Sequence, residues 1–360
     1  MPRKVNSPKA MKPARMFLRD HTSLVMERNV NVRKIKYFEA INEALHQMMD
    51  RDEQVFVIGA GVNSPWYVGQ TCAGLYDKFG SNRLIDTPVS ENGVAGIAAG
   101  AAMAGMRPVL VHARMDFMLY AMDQIVNQAA NWYYMLGGQV SVPVTIRGII
   151  NRAGEQAAQH SQALHVFFAH VPGLKVVMPS NPYDAKGLLV ASIEDSNPVV
   201  YIDDRWLYDN KGDVPEDLYS VEIGKGAIRK EGNDVTIAAI SYMAVEAEKA
   251  SEVLEREGIS AEVIDLRSLK PLDKELIFES VKKTGRLVVA DVGWESYGAA
   301  AELIALVSSE CFYWLKEPPM RVALPDAPAP SSSALEEGYY PNAKTIVTIV
   351  QRLSQSSRRR

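Results

Sequence analysis

Runs of consecutive apolar residues alternate along this chain with segments in which apolar positions recur every three or four residues. The runs predict buried strands, and the recurring positions predict amphipathic helices. In the first part of the chain they predict helices at 37–49, 93–106 and 116–134, and strands at 55–59, 108–111, 142–147, 174–177 and 197–201. Because single helices separate the strands, we expect parallel pairing through right-handed crossovers.

A second unit repeats the alternation beyond a polar stretch, with predicted strands at 235–241, 261–266 and 286–292 and helices at 244–257 and 273–283. The fold class we predict is α/β, with two α/β domains that have mainly parallel sheets. The predicted divisions are a basic, disordered leader at 1–34, a first domain at 35–207, a linker at 208–221, a second domain at 222–354 and a disordered tail at 355–360.

Composition excludes several classes of protein. A chain of 360 residues with a net charge of −4 has room for two domains and no overall charge that would attract nucleic acid. The two cysteines, Cys72 and Cys311, lie far apart without metal-ligand spacing, which favours buried thiols in a reducing compartment. The small and apolar run at 93–106 is shorter than the ~20 residues that cross a bilayer, so we predict no membrane span.

The basic N-terminal segment has three readings: a flexible leader, an import sequence, or an extension upstream of the true start. Asp20 and Glu27 weigh against import, since transit peptides are poor in acidic residues. We therefore expect a cytoplasmic protein. The alternative is the mitochondrial matrix or a plastid, if the segment directs import.

Glu91 is the residue whose position most needs explaining, because it follows a predicted strand and precedes a helix rich in glycine and alanine. Local capping by Ser90 and Glu91 is one explanation, since these residue types are favoured where a helix begins. The other is that this semi-buried carboxylate has a specific partner. The sequence by itself leaves both open.

Two glycine patterns could each indicate a ligand-binding site. Gly59-Ala60-Gly61 follows a strand like the start of a dinucleotide-binding turn, but the third glycine is missing and Pro65 interrupts the helix that should follow. The glycines of the helix at 93–106 permit close backbone approach, by another helix or by a cofactor. We favour packing between subunits.

Imidazole and guanidinium groups are concentrated in the first domain. His160 lies in a polar loop and can donate, accept or transfer a proton near neutral pH. No cysteine or carboxylate stands at ligand spacing from it, which disfavours a metal site. The other members of this group are His112, Arg114, His165 and His170.

Five motifs, taken in order, resemble the β subunits of thiamine-diphosphate-dependent 2-oxo-acid dehydrogenases: DTPVSE at 86–91, GIAAGAA at 96–102, DQIVN at 123–127, QHSQ at 159–162 and PGLKVV at 172–177. The likeness extends from about Ile35 to Leu353, and DLRSLKPLD at 265–273 is similar to the family's C-terminal domain. The resemblance implies a transketolase-like pyrimidine-binding domain followed by a transketolase C-terminal-like domain.

The resemblance also implies roles for individual residues. Glu91 would accept a hydrogen bond from N1′ of the cofactor's aminopyrimidine, which favours the imino tautomer, and Phe117 would stack on that ring. His160 would donate to the substrate carboxylate or to a developing oxyanion. A potassium-binding loop is implied at Val144, Ser192, Ile193, Asp195 and Asn197.

An absent motif bears on the partners. The family's other domain binds Mg²⁺ and diphosphate through Gly-Asp-Gly and a later Asn, and no Gly-Asp-Gly occurs in this chain. The resemblance therefore implies an α subunit that holds the diphosphate and metal, two copies of each chain, and acyl transfer to a lipoyl group on a partner acyltransferase. The alternatives are a split transketolase-like enzyme that moves ketol units between sugars, and a non-catalytic assembly subunit.

The chain departs from the family where acidic residues are common, at Ala60, Gly61, Val111 and His165, and it pairs His112 with Arg114. If these positions line the substrate channel, the lost acids and the gained imidazole and guanidinium groups favour a more anionic substrate. This is a hypothesis about the channel residues His112, Arg114 and His165.

Overall fold

The computed structural model describes residues 31–152 and 156–356. The strands of the first domain are β1 (Val32–Lys36), β2 (Val55–Gly59), β3 (Leu84–Asp86), β4 (Arg107–His112), β5 (Thr145–Ile150), β6 (Lys175–Val177), β7 (Val199–Asp204) and β8 (Lys211–Pro215). Its helices are α1 (Tyr37–Arg51), α2 (Pro65–Val68), α3 (Leu75–Phe79), α4 (Glu91–Met103), α5 (Ala130–Met135), α6 (Ala157–His160), α7 (His165–His170) and α8 (Pro182–Glu194).

The second domain follows the same alternation. Its strands are β9 (Ala227–Lys230), β10 (Val235–Ala239), β11 (Ala261–Asp265), β12 (Ser268–Lys270), β13 (Leu287–Trp294) and β14 (Met320–Leu324). Its helices are α9 (Tyr242–Arg256), α10 (Lys274–Thr284), α11 (Ala299–Glu310), α12 (Ser333–Tyr339) and α13 (Ala343–Ser356). Single turns of 3₁₀-helix are present at Arg205–Leu207 and Phe312–Trp314.

Two large sheets contain all the described strands except β1 and β8. The seven-stranded sheet has the order β12-β6-β7-β5-β4-β2-β3, in which only the edge strand β12 is antiparallel. The five-stranded sheet has the order β14-β13-β10-β11-β9, with β9 antiparallel. The predicted α/β class and mainly parallel pairing are therefore confirmed. Because β12 comes from the second domain, the two domains share a sheet.

The first-domain sheet is covered on both faces, as strand β2 illustrates. Val55 and Val57 belong to the buried apolar cluster that includes α1, on one face of the sheet. Phe56 and Ile58 belong to a separate apolar cluster that includes α4, on the other face. All five residues of β2 are buried. Burial on both faces explains why the strand reads as a continuous apolar run without polar alternation.

The structure differs from the predicted boundaries at both ends of the first domain. Strand β1 starts inside the predicted leader, and β8 lies inside the predicted linker 208–221; the two pair as an antiparallel ribbon. Both strands are short, polar and half-exposed, so neither has the apolar run that identifies a strand in sequence. The rest of the leader, 1–30, and residues 357–360 of the tail lie outside the described residues, and α13 continues to Ser356.

The predicted helix at 116–134 is three different helices. A 3₁₀-helix at Met115–Ala121 leads into a π-helix at Asp123–Ala129, which α5 continues. Met115, Met118 and Ala121 are buried at intervals of three residues, the period of a 3₁₀-helix, and this packing selects the tighter winding.

Within 31–152 and 156–356, no helix combines the length and the apolar character that crossing a bilayer requires.

Candidate active site

A cavity of about 620 Å³ opens at the carboxyl ends of strands β2, β3 and β4. Strand order reverses here: β3 lies on one side of β2, and β4 lies on the other. Ligands of open α/β sheets bind in the crevice that such a reversal creates. The lining residues with polar or aromatic side chains that matter below are Glu91, His112, Arg114, Phe117, Gln156 and His160.

Glu91 is the first residue of α4 and lines this cavity. The Ser90 side chain makes no capping hydrogen bond, so the helix start is not the Ser90 cap that the sequence allowed. Glu91 is half-buried, and none of the described side chains donates a hydrogen bond to it. The N-terminus of the helix stabilises its negative charge and leaves the carboxylate oxygens available to a ligand.

Phe117 and His160 meet across the cavity. Their ring centroids are 5.4 Å apart with planes at 83°, an edge-to-face contact. Asp116 joins the segments that carry them: its Oδ1 accepts from the backbone N–H of Gln162 at 3.1 Å and from that side chain's Nε2 at 2.9 Å. Met118 of the same 3₁₀-helix is fully buried, so packing of its side chain helps to hold the segment that carries Phe117 in place.

His112 and Arg114 also line the cavity, beyond the end of β4. Burial lowers the pKa of His112 to about 4, so its ring is neutral at physiological pH, and its Nε2 has no partner among the described residues. Arg114 donates through Nη1 to the carbonyl of Ala113 at 2.8 Å and through Nη2 to Gln156 Oε1 at 3.4 Å. Burial lowers the pKa of Arg114, yet a guanidinium stays charged.

His165 does not belong to this cavity, so its assignment to the substrate channel is wrong. It is fully buried between the domains, with Nε2 3.1 Å from Oδ1 of Asp291 on β13. A Cβ at Gly293 would stand 2.9 Å from the His165 ring, so glycine makes room for it. Burial works to raise the pKa of Asp291, but the His165 imidazole and two backbone N–H groups outweigh burial and hold that pKa below its ordinary value.

The glycines after β2 shape the cavity wall. The backbone N–H of Gly61 donates to Asp86 Oδ1 at 2.7 Å, and Gly61 has a φ of +72° that favours glycine. Ala60 and Val111 line the cavity beside this turn. The incomplete dinucleotide-like pattern therefore serves a turn that connects the ends of β2 and β3.

The glycine-rich helix α4 has one open face. Gly96 packs near Gln124, where an added Cβ would be 3.3 Å from Oε1, but around Gly100 nothing described lies within 4 Å. On the same face the side chain of Ile97 is 61% exposed. Packing of this face between subunits stays a prediction.

The residues of the implied potassium loop lie where α8 ends and β5 begins. Arg107 Nη1 donates to the carbonyls of Ile193, at 2.8 Å, and Asp195, at 3.2 Å. The Val144 carbonyl accepts from the backbone of Val199 at 3.1 Å. Oδ1 of Asn197 is buried and has no partner in the described chain. Ser192 Oγ donates to its own helix, at 2.6 Å from the Leu188 carbonyl.

Three lining residues with polar or aromatic side chains escaped the sequence reasoning: Tyr67, Tyr120 and Gln156. Tyr120 follows Phe117 by one turn, with ring centroids 6.5 Å apart, so the 3₁₀ period would have indicated it. Gln156 belongs to the polar loop before His160, a loop that the sequence singled out without selecting this residue. Tyr67 has no local signal.

Comparison with known families agrees with this arrangement. The family description "Transketolase, pyrimidine binding domain" matches residues 33–210, and "Transketolase, C-terminal domain" matches residues 224–346. Together they account for both domains and for the resemblance that the motifs indicated.

Individual relatives are similar over nearly the whole chain. The "Acetoin:2,6-dichlorophenolindophenol oxidoreductase subunit beta" of Bacillus subtilis is 42% identical and covers 89% of this chain and 97% of its own length. The mitochondrial "Pyruvate dehydrogenase E1 component subunit beta" of Dictyostelium discoideum is 40% identical, over 93% of this chain and 95% of its own. A solved structure described as "Split gene transketolase, inactive beta4 tetramer" superposes with a TM-score of 0.73 at 25% identity, covering 89% of this chain and 98% of that one.

Proposed function

Because the chain belongs to the β subunits of thiamine-diphosphate-dependent 2-oxo-acid dehydrogenases, we propose that it supplies the pyrimidine half of a shared active site. The reaction would be decarboxylation of a 2-oxo acid followed by acyl transfer to lipoyl on a partner acyltransferase. One observation carries the proposal: Glu91, Phe117 and His160 line a single cavity.

The cavity's residues fit the cofactor. Its volume of about 620 Å³ falls in the range of ligand pockets, which is roughly 300–1,000 Å³. It offers at Glu91 a carboxylate that accepts from no side chain among the described residues, and an aromatic ring at Phe117, beside the apolar Val94 and Leu110. An aminopyrimidine requires this combination: an acceptor for one ring nitrogen and flat apolar surface for the ring.

The chemistry that thiamine diphosphate would supply, when it is bound, is nucleophilic attack on the 2-oxo carbonyl and storage of the electron pair left behind when CO₂ departs. Glu91 would hold a proton at N1′ by accepting its hydrogen bond, which strengthens once water is excluded. Phe117 would orient the ring and exclude water. His160, which its contact with Phe117 holds at the cavity, would donate N–H to the substrate carboxylate or to the developing oxyanion.

We propose an α subunit as the obligatory partner, in an assembly with two copies of each chain. The absence of Gly-Asp-Gly from the sequence supports this, because the Mg²⁺ and diphosphate then need ligands from another chain. The names of the relatives, which are β subunits, support it as well. Contact with a lipoyl-bearing acyltransferase, and a cytoplasmic location, are parts of the same proposal; mitochondrial and bacterial relatives both exist.

The test is reconstitution. The chain is co-expressed with the Gly-Asp-Gly-bearing chain of its own organism, and decarboxylation of 2-oxo acids is followed by dye reduction and by acylation of a lipoyl domain. We expect activity only with both chains, thiamine diphosphate and Mg²⁺. Full activity of either chain alone would contradict a shared site.

A split transketolase-like enzyme is the second candidate, and the TM-score of 0.73 to a split-gene transketolase favours keeping it. It would use Glu91 in the same way and would need no lipoyl partner. Ketol transfer between sugar phosphates, without dye reduction from 2-oxo acids, would select it. The presence of Glu91, Phe117 and His160 in one cavity argues against a non-catalytic assembly subunit.

We also propose that the loop containing Asn197 binds potassium. The oxygen atoms that could coordinate the ion are those of backbone carbonyls and of a side-chain amide, which suit a hard cation. The buried Asn197 Oδ1 lacks a partner in the described chain. Two of the carbonyls already accept from Arg107, which leaves each a second lone pair. Melting of the chain should occur at a higher temperature in KCl than in equimolar NaCl, and Asn197→Ala should abolish the difference. Equal melting temperatures in both salts would oppose this site.

A further inference from the structure

The cavity holds more hydrogen-bond donors than the proposed cofactor chemistry uses. Glu91 and Phe117 serve the pyrimidine, and His160 serves the reacting end of the substrate. Arg114 and His112 line the same space and have no role in that scheme. Both side chains retain donors or acceptors that nothing in the described chain satisfies, so they are the groups to explain.

Arg114 is a half-buried cation without a counter-ion. No carboxylate of the described residues lies within the 4.0 Å of an ion pair, and its Nε is buried without a partner. Asp116 is the acid that acts on it, but Asp116 lies beyond ion-pair distance from Arg114 and already accepts twice from Gln162; burial raises the pKa of Asp116 above its ordinary value. A half-buried cation that lacks a counter-ion favours an anionic ligand, because solvent compensates its charge only in part.

The guanidinium of Arg114 is also held in one orientation. The carbonyl of Ala113 fixes Nη1, and Gln156 lies at 3.4 Å from Nη2. Gln156 Oε1 in turn accepts from Asn151 Nδ2 at 2.8 Å, which ties the loop to the end of β5. A fixed, planar fork is the geometry that binds a carboxylate specifically.

Two neighbours adjust the charge around Arg114. Arg205 is close enough to repel it, and Arg205 itself donates to the carbonyl of Trp66 at 2.7 Å and not to an acid. His112 adds a neutral ring whose buried Nε2 is unpartnered, so it supplies a hydrogen bond and no charge. The positive charge beside His112 is therefore that of Arg114 and Arg205, since burial keeps the His112 ring neutral at neutral pH.

Resting on the proposed function, we propose that Arg114, assisted by His112, binds a second carboxylate at the far end of the substrate. The substrate class is then a dicarboxylic 2-oxo acid. The first carboxylate, beside the 2-oxo group, is the one that His160 serves. The sequence predicted that His112, Arg114 and His165 favour an anionic substrate. In this proposal Arg114 alone of the three supplies positive charge, and His165 has no part in binding.

The test compares substrates with zero, one and two carboxylates in the reconstituted complex: acetoin, pyruvate, and 2-oxoglutarate with oxaloacetate. Wild type should have a higher kcat/KM for a dicarboxylic acid than for pyruvate. Arg114→Gln should lower the ratio of these two values by about 10- to 100-fold, as expected for loss of a charged hydrogen bond. Arg114→Lys should fall between, because it retains charge without the fork. Arg51→Gln, on the exposed side of α1, removes the same charge as a control and should leave the ratio unchanged.

Three other results would overturn the assignment. Equal or higher kcat/KM for pyruvate in wild type would do so while leaving the proposed function intact. An increase in the KM for thiamine diphosphate in Arg114→Gln, with substrate preference unaltered, would assign the guanidinium to the cofactor's diphosphate. Activity confined to ketol transfer with sugar phosphates would instead defeat the proposed function itself. Circular dichroism and gel filtration of each variant complex show whether it has folded and assembled.

Discussion

Replacement of Asp265 by asparagine should change how the stability of this protein depends on pH. Asp265 ends β11 at the domain interface, fully buried, and contacts Ser180 of the first domain through Oδ2. Its Oδ1 accepts from the backbone N–H of Arg267 at 3.2 Å. Burial, together with the neighbouring Asp184 carboxylate, raises the pKa of Asp265 from its ordinary 3.8 to about 7.

The sign follows from proton binding. Between pH 3.8 and about 7 the folded chain retains a proton on Asp265 that the unfolded chain has released, so stability falls as pH rises through this window. At ~1.36 kcal/mol per pH unit, the upper bound of this loss is about 4 kcal/mol. Of this loss in folding free energy, about 2–3 kcal/mol occurs between about pH 5 and about pH 8.

The assay is urea unfolding of the full chain and of Asp265→Asn at several pH values across that range. Asparagine is a neutral isostere whose Oδ1 can accept from the Arg267 N–H while its Nδ2 donates to the Ser180 hydroxyl, so the stability advantage of the variant should grow with pH and level off above about 7. Asp326→Asn, at an exposed position, is the control and should show a constant difference from wild type. An Asp265→Asn difference that is equally flat would refute the assignment of a buried, protonated carboxyl at the interface.

The ring of His112 should stay neutral from pH 8 down to about pH 5, because burial lowers its pKa to about 4; an inflection of its NMR ring shifts near pH 6.5 would contradict this. Arg147→Met should cost about 3–5 kcal/mol in urea unfolding, because it leaves the fully buried Asp203, now bonded by Arg147 at 2.8 and 2.9 Å, as an unpaired charge. Phe117→Leu should raise the KM for thiamine diphosphate about two- to tenfold, as stacking worth ~0.5–1.5 kcal/mol is lost, with an unaltered KM as the contrary result.

The sequence predicted the elements whose pattern of buried residues is regular. Strand β2 is buried on both faces and is therefore an unbroken apolar run, and helix α1 has one apolar face; both are visible without a structure. Strands β1 and β8 form a partly exposed ribbon whose stability comes from pairing across a long stretch of chain, and pairing leaves no local pattern. The change from 3₁₀- to π-helix after Ala121 depends on which side chains of this segment are buried.

The candidate site divides in the same way. Glu91, Phe117 and His160 stand in motifs, and the structure brings them to one cavity. His165 stands five residues beyond His160, but it begins helix α7, which turns it toward Asp291 of the other domain. His112 is in the cavity as expected, yet its neutral state results from burial, which the sequence pattern around it does not reveal.

We propose that the Glu91 carboxylate completes a cofactor site whose other half lies on an α subunit. The most direct measurement is the thiamine-diphosphate-dependent decarboxylation rate of the reconstituted complex with Glu91→Gln, beside Glu91→Asp as the variant that retains the acid. Loss of the proton-holding acceptor should lower kcat by about 100-fold or more in Glu91→Gln, with a smaller loss in Glu91→Asp and an unchanged assembly. Wild-type activity in Glu91→Gln would contradict the account.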